Sequence, residues 1–269
     1  MSDDRETRVL KIVLFMFLML LIVEMSPVAS ALFSGSLFDL IATGVFFLTF
    51  VLMYSITAGF VKWDGGRSIS ELGMEWEDST VVHIIIGAIA GSAASLLVVS
   101  IASVLGGQLR PLDQITGDLI AAEILITAPT AVFEELVHRG YILTHLETLI
   151  GRPQAIIIGS CFFSFLHFSW WMEPGVTPAL ILIFSFNMFL GGVVLSISYY
   201  LSGRRLWIPI AFHFMWNMFA YLLFPSFPRD SVTAPWLFQI EWGLTTILAF
   251  LFGLSLIWSL YMSLGRNKN

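Results

Sequence analysis

Charge is scarce in this sequence. Only 12% of the 269 residues are Asp, Glu, Lys or Arg, against about 25% in a typical soluble domain. A chain so poor in polar surface would not stay dissolved as a globule, and its mean hydropathy of +0.87 points the same way. Cysteine is nearly absent too. Cys161 stands alone, which excludes an internal disulfide and a multi-cysteine metal site and leaves the redox compartment unread. There is no basic run and no interleaving of basic with aromatic residues, so nucleic acid is not an expected partner. Internal repeats, low-complexity tracts and a separate soluble domain are also missing. The net charge of −6 carries little weight, because in such a chain the placement of charges matters more than their sum.

What the sequence has is long apolar runs. A spanning helix needs about 20 mostly apolar residues. On that basis the chain reads as all-α, a polytopic membrane helix bundle of about eight transmembrane helices at roughly 9–31, 37–61, 81–106, 115–137, 154–171, 178–201, 206–224 and 236–262. Residues 1–269 would form a single transmembrane domain. The first run, through Val23, exceeds a signal-peptide core of roughly 7–15 residues. No convincing cleavage site follows it, Pro27–Leu32 being the nearest, so it reads as an uncleaved span. The fourth helix is expected to continue past the lipid to about Leu149. The polar segment 62–80 is the one long loop. With eight spans, Arg5, Arg8, Lys11, Lys62, Arg67, Arg152, Arg204, Arg205, Arg266 and Lys268 fall on one side, and only Arg110 and Arg229 on the other. By the positive-inside rule both termini are then cytoplasmic.

Ionisable groups at membrane depth are costly, and they mark function more often than structure. Three stations qualify. The first is Phe133-Glu134-Glu135-Leu136-Val137-His138-Arg139-Gly140. Glu135 and Arg139 are four apart and can pair on a helix, which leaves Glu134 about 100° round the axis to face something else. The bland alternative is a surface ion-pair helix at the membrane boundary. The second station is Phe163-Ser164-Phe165-Leu166-His167, where a lone histidine is more often a hydrogen-bonded core residue than a ligand. The third is Leu206 to Asn217, with His213 and Asn217 on one face. Pro209 is expected to kink that helix one turn before His213. Interhelical hydrogen bonding is the bland reading here.

Taken together, the E-E-x-x-x-R, F-x-x-x-H and H-x-x-x-N series resembles the CPBP family of intramembrane proteases. That family contains the type II CAAX prenyl endopeptidases and bacterial proteins linked to bacteriocin processing or immunity, among them proteins like lysostaphin resistance protein A. The resemblance rests on Glu134, Glu135 and Arg139, on Phe163 and His167, and on His213 and Asn217. Gly140, the Leu206-Trp207 lead-in and, more weakly, Ser70-Glu71-Leu72-Gly73 add to it. It implies a catalytic core within about 115–225 and peptide-bond hydrolysis within the membrane, in a cavity between helices.

Hydrolysis needs an activated water, a stabiliser for the oxyanion and a proton donor for the leaving amine. On the resemblance, Glu134 is the general base with His167 helping to hold the water. His213 and Asn217 are donors to the oxyanion, and Glu135 with Arg139 positions the fourth helix. A zinc scheme competes, since two histidines and a glutamate form a known catalytic set. With Glu134, His167 and His213 as ligands, only Glu135 would remain as base, already paired to Arg139. The H-E-x-x-H arrangement is absent. Glutamate-activated water is therefore preferred, with no cofactor.

Cys161, six residues before His167, points elsewhere on its helix and is not expected to act as a nucleophile. His83 is expected at the membrane interface, as are Trp170, Trp171, Trp207 and Trp236. His138 is left out of the site. Glu24, Asp39, Glu123 and Asn187 have no assigned role. The depth of His213 predicts a cavity reached from the cytoplasmic side or laterally, suited to a membrane-anchored peptide or protein substrate, of which a prenylated CAAX tail is one candidate. The rival readings are a proton-coupled transporter, which also uses buried carboxylates and histidines, and a non-catalytic immunity protein.

Overall fold

Helices dominate because lipid offers the backbone no hydrogen-bond partner, so each segment must satisfy its own polar groups. The computed structural model describes residues 5–25, 28, 38–167 and 176–265, and no strand occurs among them. The helices are α1 (Arg5–Val23), α2 (Phe38–Trp63), α3 (Thr80–Leu105), α4 (Gly117–Glu135), α5 (Thr144–Ile150), α6 (Arg152–Phe165), α7 (Pro178–Leu201), α8 (Trp207–Leu223), the single turn α9 (Pro235–Phe238) and α10 (Thr245–Leu260). A π-helical stretch, Leu136–Leu143, joins α4 to α5 without a break. Helix from the fourth expected span thus runs on to Ile150, past the Leu149 anticipated from sequence.

Four helical segments among the described residues are long and apolar enough to cross a membrane: Ile41–Trp63, Thr80–Leu105, Pro178–Leu201 and Thr245–Leu264. This is an all-α, multi-span membrane protein, but the expected count of about eight is overturned. The physical reasons differ from helix to helix. The first turns of α1 carry Arg5, Glu6, Arg8 and Lys11, and α4 carries Asp118, Glu123, Glu134 and Glu135. Only 14 residues make up α6, and α8 has 17, short of the length a span requires. The sorting of basic residues by eight spans loses its basis, and the cytoplasmic assignment of both termini falls with it.

Among the described residues two large hydrophobic cores organise the bundle, beside a small cluster of Leu180, Phe184, Met188 and Trp242. One gathers Phe15, Phe50, Phe60, Tyr141 and Leu143 from α1, α2 and the π-helical stretch. The other gathers Ile86, Val98, Phe212, Trp216 and Phe250 from α3, α8 and α10. Helix α8 sits between them and packs most extensively on α3, with further contacts to α4 and α7. The α3 pairing is close because its facing residues are small. A Cβ on Gly87 would lie 2.3 Å from the carbonyl oxygen of Ile208, and one on Gly91 2.5 Å from that of Phe212. Backbone lies against backbone, as in membrane helix pairs with small residues at the contact. With α3 fixed on one flank, the opposite face of α8 turns toward α4.

Pro209 does not kink α8. It lies in the first turn, where an N–H would have no intrahelical partner anyway. The proline within a helix is Pro129, in α4 one turn before Glu134. Segment 62–80 docks at the start of α8. The Leu206 amide donates to the Gly73 carbonyl at 2.9 Å. Trp207 Nε1 donates to the Glu75 carbonyl at 3.1 Å, and Arg205 pairs with Glu75 at 2.7 Å and with Glu77. The Ser70–Gly73 motif therefore anchors the helix that carries His213.

Asp64, just beyond α2, ties three elements together. It accepts from Lys11 Nζ at 2.9 Å and from the Tyr141 hydroxyl at 2.7 Å, and lies 3.0 Å from His145 Nε2. Burial pushes its pKa up, but the bonds from Lys11 and Tyr141 and the charges of His145 and Lys11 outweigh that and hold it below the ordinary 3.8. His83, in the first turn of α3, is buried against Tyr261. Trp170, Trp171, Arg266 and Lys268 lie outside the described residues, as does the side chain of Asp39.

Candidate active site

The chain returns on itself to bring the first two stations level. From Glu134 to Ile150 the helix runs sixteen residues in one direction, and from Arg152 to His167 fifteen residues run back. His167 sits in the turn just past the end of α6, not within the helix as expected. Helix α8 completes the site from the side. Glu134, His167, His213 and Asn217 all line one cavity of about 70 Å³, together with Phe163, Trp216, Tyr221 and Glu241 among others. That is room for a few water molecules. The cavity brings the four residues proposed from sequence onto a common wall.

Beneath the cavity lies a fully buried pair. Glu135 accepts from Arg139 Nη1 at 3.0 Å, as the four-residue spacing predicts, and neither side chain is more than 2% exposed. Arg139 also donates to the Gly192 carbonyl on α7 at 3.1 Å and stacks over the Phe163 ring at 4.6 Å. The sequence reading missed the third partner of this group. His213 Nδ1 lies 2.9 Å from Glu135 Oε1. An ionised carboxylate only accepts, so Nδ1 carries the hydrogen. One buried carboxylate therefore links α4, through Arg139 to α7, and directly to α8.

The free edges of the two imidazoles face the cavity. His167 Nδ1 is 2.7 Å from the Phe163 carbonyl, which again can only accept, leaving Nε2 for a ligand or water. His213 Nε2 is 4.0 Å from Glu134 Oε2, a gap that one bridging group can fill. Glu134 Oε2 itself is buried with no hydrogen-bond partner. An orphaned carboxylate oxygen beside an imidazole edge is costly unless water or a ligand meets it. His138 is buried edge-on against Phe163, 4.9 Å between ring centres, and is not on the cavity wall. Cys161 is exposed.

Among the described residues no three His, Cys, Asp or Glu side chains are grouped so that they could hold a metal ion, and the set Glu134, His167 and His213 is included in that statement.

A sequence model of one family, described as type II CAAX prenyl endopeptidase Rce1-like, matches residues 117–219. A CPBP/Rce1-like family domain is present over that part of the chain. It covers α4 through most of α8, a little over a third of the 269 residues, and takes in each of the three stations. A comparison with curated proteins found no match.

Several wall residues escaped the sequence reading. Thr130 stands one turn before Glu134 on α4, and Tyr221 one turn after Asn217 on α8. Extending the i, i+4 stripe in each direction would have found both. Glu241 is different. It belongs to no motif and lies outside the matched domain, and nothing in the linear sequence assigns it to the cavity.

Proposed function

We propose that the protein is an intramembrane endopeptidase that hydrolyses a peptide bond of a membrane-anchored protein or peptide. The observation that carries this reading is the shared cavity. A carboxylate with an orphaned oxygen, two imidazole edges and an amide surround a space of a few waters. The Rce1-like domain supports the same conclusion.

In this reading Glu134 takes one proton from a water held with the help of His167 Nε2, and the water oxygen bonds to the scissile carbonyl carbon. His213, held by Glu135 through Nδ1, presents Nε2 to the oxyanion, with the Asn217 amide as second donor. A doubly protonated His213 ring donates at both nitrogens, which suits a group lying between Glu135 and a developing negative charge. As the C–N bond breaks, Glu134 returns its proton to the leaving nitrogen. General acid–base assistance of this kind contributes about 10²–10⁴-fold. Glu135 and Arg139 touch no substrate and act by orienting His213 and locking α4 to α7.

The working part of a single transmembrane domain lies within about 115–225. The basic residues Arg152 and Arg204 share Glu147, and Arg205 directly precedes α8; His213 is six residues, about 9 Å of helical rise, from that end. By the positive-inside rule that end faces the cytoplasm, so a site toward the cytoplasmic side suits a substrate held by a lipid or apolar tail, a prenylated CAAX terminus included. The test is cleavage of a quenched membrane-anchored peptide library by the purified protein. Glu134→Gln should abolish cleavage, and normal cutting by that variant would refute the assignment. Flux of ions through proteoliposomes that depends on Glu134, without cleavage, would favour a carrier instead.

A further inference from the structure

A second, larger chamber of about 190 Å³ is lined among others by Glu123, Phe224, Arg229 and Gln239. Two residues, Tyr221 and Glu241, lie on its wall and on that of the reaction cavity. They stand where the two spaces meet, at the doorway from one to the other.

Glu241 is held there with unusual care. Its φ is +68°, a left-handed conformation that is unfavourable for a non-glycine residue, and such strain persists only where the surroundings over-determine it. They do so here. Asn187, fully buried on α7, spends its amide on this turn, donating to the Glu241 carbonyl at 2.8 Å and to the Gly243 carbonyl at 3.0 Å. The Glu241 N–H donates to Thr246 Oγ1 at 3.0 Å. Its side chain lies on the walls of both spaces. Asn187, which had no role in the sequence, is thus a clamp that sets the direction of one side chain.

We propose that Glu241 is the acceptor for the amine of the leaving fragment, taking the new ammonium group at the doorway and setting which half of the substrate occupies the second chamber. This rests on the endopeptidase reading for its chemistry. The balance of that reaction explains the need. Glu134 delivers one water proton to the leaving nitrogen as the C–N bond breaks, and the carboxylic acid formed gives up its own proton to the amine. The products are a carboxylate and an ammonium. A second carboxylate on the nitrogen side gives that ammonium a partner away from Glu134, which must be free to take the next water. An ammonium beside a partly buried carboxylate gains a charge-assisted hydrogen bond, and the uncharged amide of the intact substrate does not. Tyr221 lines the same doorway. The two fragments therefore part in opposite directions, the acyl side remaining by His213 and Asn217.

Binding isothermal calorimetry on the full chain in detergent tests this with two probes, a dipeptide amide with a free N-terminus and its N-acetylated counterpart. At pH 7 the wild type should bind the free amine roughly tenfold more tightly, the size expected of one hydrogen bond to a charged group. The isosteric Glu241→Gln should lose that preference while binding the acetylated probe as before, and Glu134→Gln should keep it. A wild type without preference, whether it binds both probes equally or neither, overturns the proposal. So does a Glu241→Gln variant that retains the preference, or its loss in Glu134→Gln alone. The two readings fail separately. Cleavage without amine preference sinks the role of Glu241 and spares the hydrolase, whereas amine preference without cleavage does the reverse.

Discussion

Helix α3 runs 26 residues from Thr80 to Leu105 without one Asp, Glu, Lys or Arg. Helix α4 packs four carboxylates and no basic residue into 19. The first is long enough for lipid and meets its neighbour α8 through glycines. The second is interrupted by Pro129, runs into a π-helical stretch and ends on Glu134 and Glu135. The same contrast separates α7, and α10 with its π-helical continuation to Leu264, from the shorter α6 and α8. Long apolar helices supply the boundary with lipid, and short or charged ones hold the site between them. Counting hydrophobic runs treats both kinds alike, and that is why it doubled the number of spans.

The sharpest break of this comparison lies in Glu134. If the polar helices carry the chemistry, Glu134→Gln should lower cleavage by about 10²–10⁴-fold and leave the thermal midpoint in detergent unchanged. An equal loss of activity from an apolar α3 substitution of matched stability would erase the division of labour.

Next comes the buried ion pair. Arg139→Met leaves Glu135, which is 0% exposed, with His213 as its remaining partner among the described residues, and breaking a buried pair from one side costs about 3–5 kcal/mol. Thermal unfolding should show it as the largest destabilisation of any single substitution around the cavity. A midpoint like that of the wild type would mean that Glu135 is not charged in the folded protein.

A smaller effect is expected at the α3–α8 contact. Gly91→Ala places a methyl where the Phe212 carbonyl already lies, and overpacking of this kind costs about 1–3 kcal/mol. Because α8 carries His213 and Asn217, activity should fall with stability. Activity that survives intact would show that α8 tolerates displacement.

Outside the membrane helices, Asp64 makes a prediction in pH. Its folded-state pKa lies below the ordinary value of 3.8, so the carboxylate stabilises the fold above that value. The contribution is lost as pH falls below about 4 through the folded-state pKa. Asp64→Asn should flatten this acid limb of the stability profile. Smallest of all, Val104→Ser on the 81%-exposed end of α3 should change detergent stability by no more than about 0.5 kcal/mol, and a larger loss would identify a packed surface there.

Much of the site could be read along the chain because its members repeat at helical spacing. Glu135 with Arg139, and His213 with Asn217, are neighbours on one helix whatever the bundle does, since 3.6 residues per turn puts i and i+4 on one face. Membrane residence followed just as directly from the shortage of charge. The Pro209 kink failed on a one-turn detail, the position at which α8 begins, and that start is set by the docking of Gly73 and Glu75 from the preceding loop.

Composition and helical period were enough to decide that the chain is helical, lives in lipid and carries an acid–imidazole–amide series, because these depend on solvent and on neighbours a few residues away. That Glu135 reaches across 78 residues to His213, and that Glu241 lies on the walls of both cavities, were decided by tertiary packing alone. Contacts between distant segments depend on how helix faces fit, and no local pattern encodes that fit.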